Sequence, residues 1–177
     1  MVKKKTKLLL VIDMQNDFIN GSLGTKEAGA IIDKVAAKID TWKGSIIATQ
    51  DTHYAESYLH SREGKYLPVE HCIQDSFGWQ INSKIKKVLD KKYASIISKN
   101  YFASTFVIPE LIKKLNVNHI EIIGLCTDVC VISNALYLKS IFPELDIAVD
   151  SNCCAGVTPE THNAALQVMK MCQIDIL

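Results

Sequence analysis

Short runs of branched apolar residues alternate with stretches of helical period along this chain. The runs fall at 8–12, 45–49, 95–97, 120–125, 145–149 and 173–177, each of strand length. Between them, Ile31, Ile32, Val35, Ala36 and Ile39 form one helical stripe, and Ile81, Ile85, Val88 and Leu89 form the next. Pro109, Leu111, Ile112 and Leu115 predict a short helix with proline in its first turn. A further helix is expected after Thr127. The last has Thr158 as N-cap and Pro159 at its first position, with Ala164, Ala165, Val168 and Met169 turned inward. Strands alternating with helices imply crossover connections and a mostly parallel sheet covered on both faces. Six strands predict an open three-layer α/β/α sandwich, because a closed eight-stranded barrel needs more. Residues 51–77 break the pattern: they are polar, weakly periodic and hold three of the five histidines. A loop that long in a compact domain points to function.

Composition narrows the class. The 177 residues suit one domain over 1–177, and 48% hydrophobic with 22% charged residues argues against disorder. Twenty basic against nineteen acidic residues leave a net charge of +1, which gives no footprint for nucleic acid or an anionic membrane. No apolar run approaches the roughly 20 residues of a membrane span. The start is basic, with Lys3, Lys4, Lys5 and Lys7, but the apolar run behind it is too short for a signal peptide and ends in Asp13. A cytoplasmic protein is expected. The six cysteines (72, 126, 130, 153, 154 and 172) offer no CxxC pair, and reduced thiols, mostly packed as small apolar groups, are the expectation.

In an open α/β sheet, ligands bind outside the carboxyl ends of the strands. The first run ends in Asp13, the second in Asp51 with His53 two residues on, the third in Lys99, and the fourth in Cys126 to Cys130 entering a helix. Each alone has a plain structural reading as a cap, a solvated lysine or a packed thiol; their coincidence at one rim favours a site. Cys130 is the candidate nucleophile. The partial positive charge of a helix start is expected to favour its thiolate. The backbone N–H groups of Cys126 and Cys130 are candidate oxyanion donors. Asp13 is placed to take the thiol proton and return it to a leaving amine, with Lys99 holding that acid ionised. A redox role for Cys126 and Cys130 fits poorly with their CxxxC spacing. His119 and His162 receive no role.

The polar gap offers Asp51, His53, His60, Glu63, Glu70 and His71. Such a mixed oxygen and nitrogen set suits one divalent metal, zinc first, with iron or manganese as alternatives. A metal here is expected to orient a heteroatom of the substrate or hold water, because Cys130 already fills the nucleophile's place. Cys72 is read as packed, not ligating.

These segments resemble the isochorismatase-like cysteine hydrolase superfamily, and within it the nicotinamidases, from about Lys7 to the C-terminus. The carriers are Val11-Ile12-Asp13-Met14-Gln15-Asn16-Asp17-Phe18, Thr49-Gln50-Asp51-Thr52-His53, Leu67-Pro68-Val69-Glu70-His71-Cys72, Ser98-Lys99-Asn100 and Gly124 through Val131. The resemblance implies a catalytic triad of Asp13, Lys99 and Cys130, and a cis peptide at Leu125–Cys126. It also implies metal ligands Asp51, His53 and His71, with Glu63 preferred to His60 as the fourth.

The chain departs from the pattern at Leu67, where many nicotinamidases carry a tryptophan, and has Tyr66 beside it. Phe18, Leu67 and Tyr101 are the expected substrate-binding residues. Trp79 is read as a core residue opening the next helix. The implied activity is hydrolysis of nicotinamide to nicotinate and ammonia through a cysteine thioester. The alternatives are action on another small amide or carbamoyl compound, or an inactive relative serving as a binding subunit. Related enzymes are often oligomeric, so a homo-oligomer is possible.

Overall fold

The computed structural model describes residues 6–177; the basic start at residues 1–5 lies outside them. Six strands are joined by helices in the order β1 (Thr6–Ile12), α1 (Asn16–Ile19), α2 (Lys26–Thr41), β2 (Ser45–Asp51), α3 (Ala55–Tyr58), α4 (Arg62–Tyr66), α5 (Ser83–Lys91), β3 (Ser95–Lys99), α6 (Val107–Leu115) and β4 (Val117–Leu125). A π turn (Thr127–Val131) then leads into α7 (Ile132–Ile141), followed by β5 (Asp146–Ala155), α8 (Pro159–Met171) and β6 (Asp175–Ile176). The sheet runs β3-β2-β1-β4-β5-β6 and every pairing is parallel. The predicted three-layer α/β/α sandwich is therefore observed, with its sheet wholly parallel.

Alternation within β1 shows how one strand serves two cores. Leu8, Leu10 and Ile12 join Ile120, Ile122, Ile108, Ile112, Ala135, Leu138, Ala165 and Met169 on the face covered by α6, α7 and α8. Leu9 and Val11 join Ile31, Val35, Ala36, Ile39, Ile85 and Leu89 on the face covered by α2 and α5. A central parallel strand is buried on both sides, which is why 8–12 reads as a continuous apolar run.

Several boundaries differ from expectation. Residues 51–77 fold into two short helices, α3 and α4, tied back by a bridge between His53 and Ile73. Too few residues lie in either helix to show periodicity. β5 outruns its apolar stretch by six residues, because polar Asp150 is engaged by Lys38 of α2. β6 is only two residues long. Thr158 caps α8 in a capping box with Thr161, and Pro159 follows as expected. The inward face of α8, however, is Ala165 and Met169, while Ala164 and Val168 face solvent. Ile81 is buried but precedes α5, whose N-cap is Asn82, so Trp79 does not open that helix.

One charge cluster sits beneath α2. Glu121 of β4 is 6% exposed and is contacted by the Lys38 ammonium, which also reaches Asp150 at 3.0 Å. Burial opposes the charge on Lys38, but the hydrogen bonds it donates to Glu121 and Asp150 outweigh it and raise the lysine above its ordinary range. Removing one member of such a pair strands a buried charge. Lys38→Met is expected to lower stability by about 2–4 kcal/mol in urea titration, the cost of an uncompensated carboxylate. Adding Glu121→Leu should restore most of the loss; a double variant no more stable than the single one would contradict this account.

Candidate active site

The strand order places the reversal of the sheet between β1 and β4, and ligand crevices form outside the carboxyl ends at such a point. Asp13 follows β1 directly. Its φ of 45° lies in the left-handed region, which aspartate tolerates better than most residues. The turn is fixed from β2: the Thr49 hydroxyl donates to Asp13 Oδ1 at 2.6 Å and accepts the Asp13 N–H at 3.2 Å. Within β4, Gly124 has φ +118°, and a side chain there would meet the backbone oxygen of Ile12. Only glycine fits this close approach of the two strands. The next peptide, Leu125–Cys126, is cis. Cys126 then opens the π turn, whose carbonyl accepts the N–H groups of Val129 and Val131. Single π turns inside helices often occur at functional sites.

Asp13, Lys99 and Cys130 meet here. Lys99 Nζ lies 2.7 Å from Asp13 Oδ2, 3.6 Å from Cys130 Sγ and 3.2 Å from Asp51 Oδ1. All three side chains are buried, Asp13 completely. Among the described residues, Asp13 Oδ2 has no hydrogen-bond partner besides that ammonium contact, which leaves it open to a thiol proton. Burial raises the Asp13 carboxyl above its ordinary range, although the Lys99 charge pulls it down. Burial alone would neutralise Lys99, but Asp13, Cys130 and Asp51 hold it protonated, well above the usual lysine range. The expected thiolate at Cys130 is not favoured in this resting arrangement. Burial, then the charge of Asp13, pushes the Cys130 thiol well up, and Lys99 offsets only part of this. The partial charge of a helix start is weaker than desolvation together with two carboxylates. Cys126 is pushed up to about 12 by burial, so its side chain stays a neutral thiol.

Beside this trio, Asp51, His53, Glu63 and His71 bring one ligand atom each within 4.8 Å of the others. His53 Nε2 is 3.1 Å from Asp51 Oδ2 and 3.7 Å from Glu63 Oε1, and His71 Nε2 is 3.5 Å from Glu63 Oε1. Ligands at about 2.0–2.1 Å from a tetrahedral ion sit roughly 3.3 Å apart, so two imidazoles and two carboxylates at these spacings fit a divalent metal. His71 Nδ1 is engaged by the Val69 carbonyl at 2.9 Å, which turns Nε2 toward the cluster. Burial opposes a charged His71, but Glu63 and the Val69 carbonyl raise its pKa above the ordinary value. Tyr58 packs edge-on against both imidazole rings and donates its hydroxyl to the Leu67 carbonyl; burial pushes that hydroxyl up to about 12. His60 is exposed and lies outside the cluster, as does Cys72, which is fully buried.

Four residues that sequence reasoning passed over hold this geometry. Gln15 accepts the Asp51 N–H at 2.7 Å and donates to the carbonyls of Asp51 and Trp79. Thr49 orients Asp13 as described above. Asp17 accepts the Cys72 N–H at 2.7 Å, anchoring the residue next to His71. Asn134, one turn beyond Cys130, donates to the carbonyls of Cys130 and Phe102 and accepts the Ser104 N–H. Gln15 and Asp17 flank Asn16 inside the quoted first motif, which was the available signal. Nothing in the sequence marks Asn134. All six cysteines are free thiols, His162 is held by the Thr127 hydroxyl, and His119 pairs with Asp146 at the far end of the sheet.

The four-residue cluster and, from the trio, Cys130 line one cavity of about 960 Å3, with Asp13 and Lys99 buried behind it. Phe18, Leu67 and Tyr101 line it, with Tyr66, Phe102, Val129 and Val157. Trp79 is not among its walls. Among the described residues, no helix is long and apolar enough to cross a membrane.

Comparison with known proteins agrees with this geometry. The isochorismatase domain family matches residues 7–177. The nicotinamidase of Escherichia coli K12 is 24% identical over 93% of this chain and 90% of its own length. A nicotinamidase/pyrazinamidase from Bacillus subtilis superposes with a TM-score of 0.85 at 22% identity, covering 97% of this chain and 98% of that one. A pyrazinamidase of Pyrococcus horikoshii, solved in complex with zinc, superposes with a TM-score of 0.78 at 27% identity over the same shares. With the family matched over almost the whole chain, the protein belongs to the isochorismatase domain family and is a nicotinamidase-like hydrolase within it.

Proposed function

We propose that the protein hydrolyses nicotinamide to nicotinate and ammonia through a thioester on Cys130, assisted by one divalent metal. The observation that carries the reading is the contact of Lys99 with Asp13 and Cys130, with Cys130 lining the same cavity as the Asp51, His53, Glu63 and His71 cluster. Zinc is the preferred ion, supported by the donor set and by the zinc-bound relative. A bound ion there would take the pyridine nitrogen as a ligand and so fix the ring's orientation.

Asp13 accepts the Cys130 proton as sulfur attacks the carboxamide carbon. Its raised pKa matches it to both taking and returning a proton. The tetrahedral oxyanion is held by the N–H groups of Cys126 and Cys130. Asp13 then gives its proton to the leaving nitrogen, the C–N bond breaks and ammonia departs. Water, deprotonated by Asp13, attacks the thioester carbon, the C–S bond breaks to release the acid, and Asp13 returns that proton to the Cys130 sulfur. Throughout, the Lys99 ammonium offsets the negative charge that passes between Asp13 and sulfur. A metal-free hydrolase for another small amide or carbamoyl compound would keep the triad but has no use for the four-residue cluster.

Purified protein supplied with zinc is expected to release ammonia from nicotinamide; no release would remove this reading. Cys130→Ala should lower turnover roughly a thousandfold or more with the fold retained by circular dichroism. Retained turnover in that variant would refute the nucleophile.

Chelation should depress activity. Metal titration should show Glu63→Ala weakening zinc binding by about a hundredfold or more, while His60→Ala leaves it unchanged. The reverse order would exchange the fourth ligand.

The acid limb of the kcat/KM profile should lie above the ordinary aspartate range, because Asp13 must be ionised to act as base and burial raises its pKa. A limb within or below the ordinary aspartate range would assign the proton to another group.

A further inference from the structure

The cavity is far larger than the proposed substrate. A volume of about 960 Å3 lies at the upper end of the roughly 300–1,000 Å3 that suits drug-sized ligands. A single pyridine ring with a carboxamide would leave most of it to water. The surplus wall is apolar and exposed: Tyr66 is 75%, Tyr101 63%, Phe102 46% and Leu67 37% accessible, all lining the cavity. Exposed aromatic side chains gathered around one opening mark a surface that a ligand would cover.

Their origins in the fold say which end of the ligand they meet. Tyr66 and Leu67 follow Glu63 at the end of α4, and Tyr101 and Phe102 follow Lys99 beyond β3. The surplus wall thus grows from the elements that supply the metal cluster and the triad lysine, beside the space a ring would fill. The second of these walls is fixed: Asn134 donates to the Phe102 carbonyl at 2.9 Å and accepts the Ser104 N–H at 3.0 Å. The leaving nitrogen must meet Asp13, which is fully buried and absent from the cavity lining, so no room is available for a substituent there.

Resting on the amidohydrolase reading above, we infer that the preferred substrates are primary carboxamides of extended nitrogen heteroaromatics, fused-ring or aryl-substituted, with nicotinamide a minimal fragment. Filling an apolar pocket more fully discriminates substrates by about tenfold or more.

The test compares kcat/KM for nicotinamide, quinoline-3-carboxamide and N-benzylnicotinamide with zinc supplied, alongside calorimetry of the acids nicotinate and quinoline-3-carboxylate. The quinoline amide should exceed nicotinamide by about tenfold, its acid should bind correspondingly tighter, and the N-benzyl amide should not be cleaved. Phe102→Ala should cut the quinoline-to-nicotinamide ratio several-fold. Nicotinamide turned over as well as, or better than, the quinoline amide would overturn the inference while leaving the amidohydrolase reading intact. Cleavage of the N-benzyl amide at the rate of nicotinamide would overturn the placement of the extra space. Ammonia from neither primary amide would remove both readings together.

Discussion

One buried ammonium holds this site together. Lys99 is enclosed with two carboxylates and a thiol, and each group would be costly to bury without the others. Asp13 and Asp51 lie on neighbouring strands, where two bare negative charges would repel each other. Lys99 spans them, which makes it as much a structural member as a chemical one. The cluster also explains why the Cys130 thiol is pushed up: a sulfur anion would add a third negative charge to a buried pocket.

The backbone details around the trio follow from that need. The left-handed turn at Asp13, the glycine at 124 and the π turn at Thr127–Val131 all bring β1 and β4 close enough at their carboxyl ends for Asp13 and Cys130 to share one lysine. Thr49, Gln15 and Asn134 then tie these ends to β2 and to the loop beyond β3.

Much of this was readable in the chain, and for identifiable reasons. Asp13 and the segment 126–130 are legible because central strands buried on both faces announce themselves as apolar runs, and the residue that ends a run stands at the rim; Lys99 ends the short edge strand β3, which is largely exposed and announces itself only by its branched residues. The Asp51, His53 and His71 set and the preference for Glu63 over His60 rested on resemblance, and the structure groups those four while leaving His60 outside. The readings that failed share a cause: they needed knowledge of neighbours. The Cys130 thiolate was argued from a helix start without the weight of burial. Of the four apolar residues expected inward on α8, Ala165 and Met169 are buried while Ala164 and Val168 face solvent, because apolarity alone does not fix where the buried stripe is centred. β5 hid its second half behind Asp150, whose partner is over a hundred residues away in the chain. The helices α3 and α4 were missed because four or five residues cannot display a period of 3.6.

The brevity of α4 carries a consequence for how the protein would behave as metal comes and goes. A five-residue helix has no stability of its own. Glu63 and His71 hang on this excursion, whereas Asp51 and His53 stand on the rigid end of β2. An ion gripping all four would act as a removable cross-link, closing the excursion onto the sheet much as a disulfide closes a loop. Metal capture and local ordering would then be coupled, the ion adding to the ties that Tyr58 and Asp17 already make to Leu67 and Cys72.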